Sequence, residues 1–284
     1  MKGGFLFMTN GPTPTPTPIY ISDPAYITRK VYPAGSWALD QPQSNRAVAG
    51  NGQRILWAKG ESFVICADTG GGKTTFALSA VRASMGLVPD IIGMQVQAFQ
   101  HILYVAADRP IQIKYALQRL VTEDNRMTWD TRMYIHEGPL DFAVNDKPSL
   151  LVPWLRELAE KLDREPFDCL VIDSLKDIVT AMDENDDGLH INTALQAVCR
   201  EGIQLMLCIH PRKMGQQAKT PVLDDVAGNK MIVSGAGSVV YLGPPSDGLS
   251  AFYHLKSPAQ KIDGIGIRLD PSTGDVSYIN TGLG

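Results

Sequence analysis

No stretch of the 284-residue chain approaches the roughly 20 consecutive apolar residues that a membrane-spanning helix needs. The opening MKGGFLFM is also too short in its apolar part for a secretory leader, and no small-residue cleavage site follows it. Cysteine is sparse: Cys66, Cys169, Cys199 and Cys208 are scattered without CxxC or CxxH spacing. That excludes a zinc ribbon or a disulfide framework and points to a reduced cytoplasmic setting. A basic excess is missing too. The formal net charge is −4, so any contact with nucleic acid has to come from a local patch.

A 44% hydrophobic share is ample for a sizeable core. The chain opens differently. NGPTPTPTP (10–18) is a proline–threonine repeat expected to be extended and solvated. The following residues mix Pro, Gly, Asn and Gln with Tyr20, Tyr26, Tyr32 and Trp37. Residues 1–59 are therefore expected to form an arm lying on the domain or on a neighbour, with the domain itself over 60–284. Lys-Gly-Gly can be encoded by a ribosome-binding sequence shortly before Met8, so native translation is expected to start at Met8.

From residue 60 the pattern becomes regular. FVIC (63–66), HILYVAA (101–107), MYIHEG (133–138), CLVID (169–173) and IQLMLCIH (203–210) read as strands. Helical patterns separate them over 74–85, 111–121, 149–162 and 191–202. Continuous apolar strands alternating with helices predict an α/β fold with a mostly parallel central sheet flanked by helices. SVVYLG, AFYHLKS, GIGIRLD and DVSYIN then follow closely, with turn signals between them, and predict antiparallel C-terminal strands on the same sheet.

One stretch carries specific chemistry. ICADTGGGKTT (65–75) follows an apolar strand and opens a helix. Glycines let successive backbone N–H groups turn inward around an anion, and the helix start adds free amides and the positive end of its dipole. Ala67, Asp68, Thr69, Gly70, Gly71, Gly72, Lys73, Thr74 and Thr75 are the expected cradle for the phosphates of ATP. Lys73 would reach the β- and γ-phosphates, and the Thr74 hydroxyl would ligate Mg²⁺. Against G-x-x-x-x-G-K-[ST], the first position holds Ala67 instead of glycine. CLVIDSL supplies the expected second element, an apolar strand ending in Asp173 as metal support. Capping of the next helix is the competing role for Asp173.

ICADTGGGKTTFALSAV, ILYVAADRP, FDCLVIDSL, the strand ending at His210 and AGNKMIVSGAGSVVYL occur in the order seen in RecA-like P-loop ATPase cores. Over residues 55–270 the chain most resembles the DnaB- and RepA-type hexameric replicative helicases of bacteria, plasmids and phages. The resemblance implies further roles. Asp108 takes the place of the acid that activates water, although it is one methylene shorter than the usual glutamate. It also reads as a helix N-terminus ahead of Pro110. His210 falls where relatives sense the γ-phosphate. Lys256 matches a lysine sent to a neighbour's nucleotide, but Pro258 stands where an arginine is expected, with Lys261 or Arg268 as substitutes.

The polar segment PRKMGQQAKTPVLDDVAGNK (211–230) carries Arg212, Lys213, Lys219 and Lys230 against Asp224 and Asp225. In the relatives, the matching loop lines a ring's channel and grips single-stranded DNA. A ring repeats the loop's small positive excess around one pore. The acidic MDENDDGLH (182–190) reads as a second mobile loop. The resemblance thus implies an ATP-dependent, helicase-like motor in replication that assembles as a homo-hexamer with other replication proteins. Two alternatives stay open at this point: a recombination or strand-annealing protein that uses ATP as a switch, and a regulatory ATPase without DNA.

Overall fold

The computed structural model describes residues 33–39, 46–181, 185–211, 220–226, 230–263, 265–270 and 272–280. The arm through residue 32, the Met8 start, residues 182–184 of the acidic segment, and Arg212, Lys213 and Lys219 lie outside the described residues. Two units are separable, Met1–Ser44 and Asn45–Gly284. In the first, a short helix α1 runs over Ala34–Leu39. In the second, strands β1 (Ala47–Asn51) and β2 (Arg54–Ala58) pair antiparallel. This hairpin, although it precedes residue 60, belongs to the second unit.

The strands of the main sheet are β3 (Phe63–Ala67), β5 (Ile102–Ala106), β6 (Met133–Glu137), β7 (Cys169–Asp173), β8 (Gln204–Ile209), β9 (Ser238–Leu242), β10 (Ser250–Lys256), β11 (Ile265–Leu269) and β12 (Val276–Asn280). Among the described residues their order is β12-β11-β10-β9-β3-β8-β7-β5-β6. The pairs from β9 to β6 are parallel, and those from β9 to β12 are antiparallel. This is the architecture the periodicity predicts. A short strand β4 (Gln95–Val96) joins the β1–β2 hairpin in a separate small sheet.

The central strands are buried on both faces, which is why they read as unbroken apolar runs. One face packs under α2 (Lys73–Ser84), α3 (Pro110–Gln118) and α4 (Arg126–Arg132), through residues such as Phe76, Ile113 and Trp129. The other packs under α5 (Leu151–Lys161), α6 (Asn185–Arg200) and α7 (Lys230–Gly235), through Leu155, Leu195 and Ile232. The small sheet extends the first core, where Trp57 stacks on Phe63 with ring centroids 5.7 Å apart. Helix α6 begins at Asn185, so the part of the acidic segment from 185 to 190 is helical rather than loop. The polar segment after β8 is drawn together at its ends by a bridge between Pro211 and a buried Val226.

Candidate nucleotide site

Strands β3, β8, β7 and β5 lie side by side and parallel, so the residues that follow them leave from one edge of the sheet. Those residues include Lys73, His210, Asp173 and Asp108. With Thr69, Gly70, Gly72, Thr74 and Thr75 they line one cleft of about 340 Å³.

The loop itself is shaped by its glycines at two points. Gly72 stands at φ 88°, left-handed backbone that costs a side-chain-bearing residue strain. Its open side faces Leu269 of β11, whose Cδ1 would lie 1.9 Å from any Cβ placed there. The antiparallel half of the sheet therefore packs directly against the loop. A Cβ at Gly71 would stand 2.9 Å from the methyl of Ala67. Ala67 is tolerated at the first motif position because Gly71 has no side chain to meet it. Helix α2 starts with no side-chain cap, which leaves its first amides free for an anion.

Lys73 curls back over this loop. Its ammonium donates to the carbonyls of Ala67 at 2.7 Å and Asp68 at 3.1 Å, and lies 3.3 Å from Nδ1 of His210. An ammonium has only protons to give, so Nδ1 accepts and the His210 proton sits on Nε2. Burial holds the Lys73 pKa below its ordinary value. His210 is likewise held low by burial and then by the charges of Lys73 and Lys176.

Thr74 donates its hydroxyl to Oδ2 of Asp173 at 2.6 Å, so the two expected metal ligands meet in the cleft. Asp173 does not cap the following turn. There Ser174 bonds Asp177 instead, at 2.6 Å. A threonine hydroxyl beside a carboxylate is an oxygen donor set suited to Mg²⁺, which takes one or two protein ligands and completes its shell with water and phosphate. Among the described residues no cluster of three or more His, Cys, Asp or Glu offers an all-protein metal cage.

Asp108 also escapes the capping role. Arg109 occupies the cap of α3 and Pro110 its first turn. The Asp108 carboxylate lies 3.8 Å from Nε of Arg109 and 3.8 Å from Nζ of Lys176. Its backbone follows the Asp173 carbonyl, which accepts from Ala107 N at 2.8 Å.

Two expected residues stand elsewhere. Lys256 pairs with Val239 at the start of β9, whereas Leu242 at its far end is level with Ala67. Lys256 is therefore at the opposite edge of the sheet from its own phosphate loop. Its ammonium donates to the carbonyl of Ser234 at 2.6 Å, at the end of α7. Lys261 and Arg268 lie on the antiparallel half as well. Lys230 opens α7 and forms an exposed ion pair with Asp224 at 2.7 Å.

Residues with no motif signal also join the site. Arg109, Gln112, Ile113, Ala116 and Arg119 of the α3 region form one cleft wall. Arg132 donates to the carbonyls of Ser84 and Met85, both at 3.1 Å, and to that of Phe99, anchoring the far end of α2. Tyr104, buried in β5, donates its hydroxyl to Asp173 Oδ2 at 2.8 Å. Burial, and then the Asp173 charge, pushes the Tyr104 phenol well above its ordinary pKa. These partners meet only through sheet and helix packing, so spacing in the chain does not flag them.

A glycine-rich loop between strand and helix, an aspartate ending a neighbouring strand, and an open mostly parallel sheet define a RecA-like P-loop ATPase core. The chain belongs to the AAA domain family, which matches residues 34–216. Two solved structures share the fold. One is a KaiC-like protein from the hyperthermophilic archaeon Pyrococcus horikoshii, at 12% identity and a TM-score of 0.51, covering 78% of this chain and 91% of that one. The other is the ATPase domain of a second protein, at 15% identity and a TM-score of 0.51, covering 77% of this chain and 84% of that one. No curated protein matches the chain in sequence. Among the described residues no helix is long and apolar enough to cross a membrane.

Proposed function

We propose that the chain is an ATP-hydrolysing, helicase-like motor that works on single-stranded DNA as a cytoplasmic homo-oligomeric ring in replication. The observation carrying the reading is the convergence of Lys73, Thr74, Asp173, Asp108 and His210 on one cleft.

The loop from Ala67 to Thr75 holds the phosphate tail of ATP through backbone amides. Lys73 leaves the Ala67 and Asp68 carbonyls and turns its ammonium to the β- and γ-phosphates. Thr74, supported by Asp173, would hold a magnesium ion, which would supply charge neutralisation on the phosphate oxygens. Asp108 orients the attacking water and accepts its proton. His210, released from Lys73, takes up the presence of the γ-phosphate and passes it to the segment that begins at Pro211. Arg212, Lys213, Lys219 and Lys230 of that segment and its helix contact the DNA backbone. Support for the DNA step comes from its position, directly beyond His210 in the chain. Lys256, far from its own phosphate loop, is available to a neighbouring subunit's nucleotide.

The test is phosphate release with Mg·ATP, with and without a single-stranded oligonucleotide, together with sizing and displacement of a labelled strand from a fork. Stimulated turnover, ring-sized particles and strand displacement are expected. Turnover indifferent to DNA would leave an ATPase of another kind. Filaments that pair strands without displacing them would favour the recombination class.

A further inference from the structure

The floor of the metal-binding corner is formed by residues that the phosphate-loop motifs do not include. Along the sheet, Asp173 is level with Ala106 on one neighbouring strand and Cys208 on the other. Ala106 is small and leaves room beside the carboxylate on its side, while on the other the Cys208 thiol lies within hydrogen-bonding reach of Asp173. One step further into the sheet, Tyr104 is level with Val171. Residues two apart on a strand share a face. The Tyr104 ring therefore lies on the same face as Asp173 and reaches up into the opening that Ala106 leaves.

At this depth in β5, between Leu103 and Val105, an apolar side chain would pack without difficulty. A fully buried phenol instead carries a desolvation cost unless its hydroxyl finds a partner. The partner it finds is Oδ2 of Asp173, at 2.8 Å. Thr74 donates to the same oxygen from the cleft side at 2.6 Å. One carboxylate oxygen thus takes two hydroxyl protons, one from below and one from the phosphate-loop helix.

We propose that Tyr104 is a positioning residue for the metal. With Thr74 it occupies Oδ2 of Asp173 and fixes the carboxylate so that its other oxygen serves the metal's water shell. Two donors on one oxygen hold the carboxylate plane against rotation, as outer-shell partners do for metal ligands elsewhere. The inference deepens the ATPase reading and rests on it.

Tyr104→Phe deletes the hydroxyl and keeps the ring. Binding of a fluorescent ATP analogue is titrated with Mg²⁺, and separately in EDTA, for the wild-type chain and the variant. A Mn²⁺ titration followed by electron paramagnetic resonance counts bound metal directly. The expected result is a metal midpoint raised on the order of tenfold, unchanged binding in EDTA, and recovery at saturating metal. An unchanged midpoint would overturn the proposal and leave Tyr104 as core filling. Equal weakening with and without metal would overturn it too, since the phenol would then serve the loop. So would a variant that melts before binding can be read, because the hydroxyl would then belong to the fold. A wild-type chain that binds no nucleotide would strike the ATPase reading itself, an outcome separable from all of these.

Discussion

Lys73 and His210 are 137 positions apart, and their side-chain nitrogens stand 3.3 Å from each other at the mouth of the phosphate loop. The lysine is stored against its own loop carbonyls and the imidazole. On the proposed function, an arriving triphosphate would give the lysine a stronger partner and free His210, so that one side chain would couple the nucleotide to the strand that leads into the polar segment.

Replacing Lys73 by alanine should reduce ATP turnover by at least about a hundredfold, because the charge opposing the transferred phosphoryl group is lost. The fold should survive, since removing a partly desolvated cation relieves a cost as well as losing hydrogen bonds. Phosphate release together with a thermal melt checks both halves. An undiminished rate would remove the site.

Gly72→Ala should destabilise the protein and disable the loop, from left-handed backbone at φ 88° and from the Leu269 side chain in the way. Adding Leu269→Ala should recover only part of the stability. The strain that remains is on the order of 1 kcal/mol. Denaturant melts of the single and double variants measure the difference, and full rescue would mean that the backbone conformation costs nothing.

Acid should unfold the protein partly through His254. This buried ring bonds Ser238 Oγ through Nε2 at 2.8 Å and accepts from Ile262 N at Nδ1, at 3.3 Å. Burial is the main cause lowering its pKa from 6.5 to about 4. Between those values the unfolded chain binds a proton that the folded protein refuses, so stability rises with pH. The contribution is complete above about 6.5 and is lost as pH falls toward 4. Its size is on the order of 3 kcal/mol. His254→Gln should flatten this limb of the stability curve, measured by urea melts across the range.

Neutralising Arg212, Lys213 and Lys219 together should weaken binding of a single-stranded oligonucleotide and make it less sensitive to salt. Each lost phosphate contact should lower the log–log slope by roughly 0.7. Fluorescence anisotropy at several salt concentrations provides the readout. Unchanged affinity would put DNA recognition on another surface.

Much of the fold is legible in the chain because local physics and tertiary position agree there. Val64, Leu103, Val171 and Leu207 lie in apolar runs that only a sheet covered on both faces can bury. The phosphate loop is legible for a different reason: an anion cradle needs consecutive residues, so its chemistry is written contiguously. The hairpin ahead of residue 60 is less legible. Trp57 and its hairpin resemble the polar arm in composition, and they join the body through tertiary contacts, among them Trp57 packing on Phe63 and Phe99 and its indole N–H donating to the Glu61 carbonyl at 2.9 Å. The helix from Asn185 was hidden by its acidic first turn, which resembles a solvated loop yet suits the positive end of a helix dipole.

The amino-acid order alone determined the strand–helix alternation and the glycine-rich cradle with Lys73 and Thr74, because both depend on near neighbours. Tertiary structure alone decided that Asp173 meets Thr74 and Tyr104, that His210 meets Lys73, and that Leu269 closes on Gly72. Such contacts depend on the order in which parallel strands are laid side by side, which follows from burying two apolar faces at once and not from any local spacing.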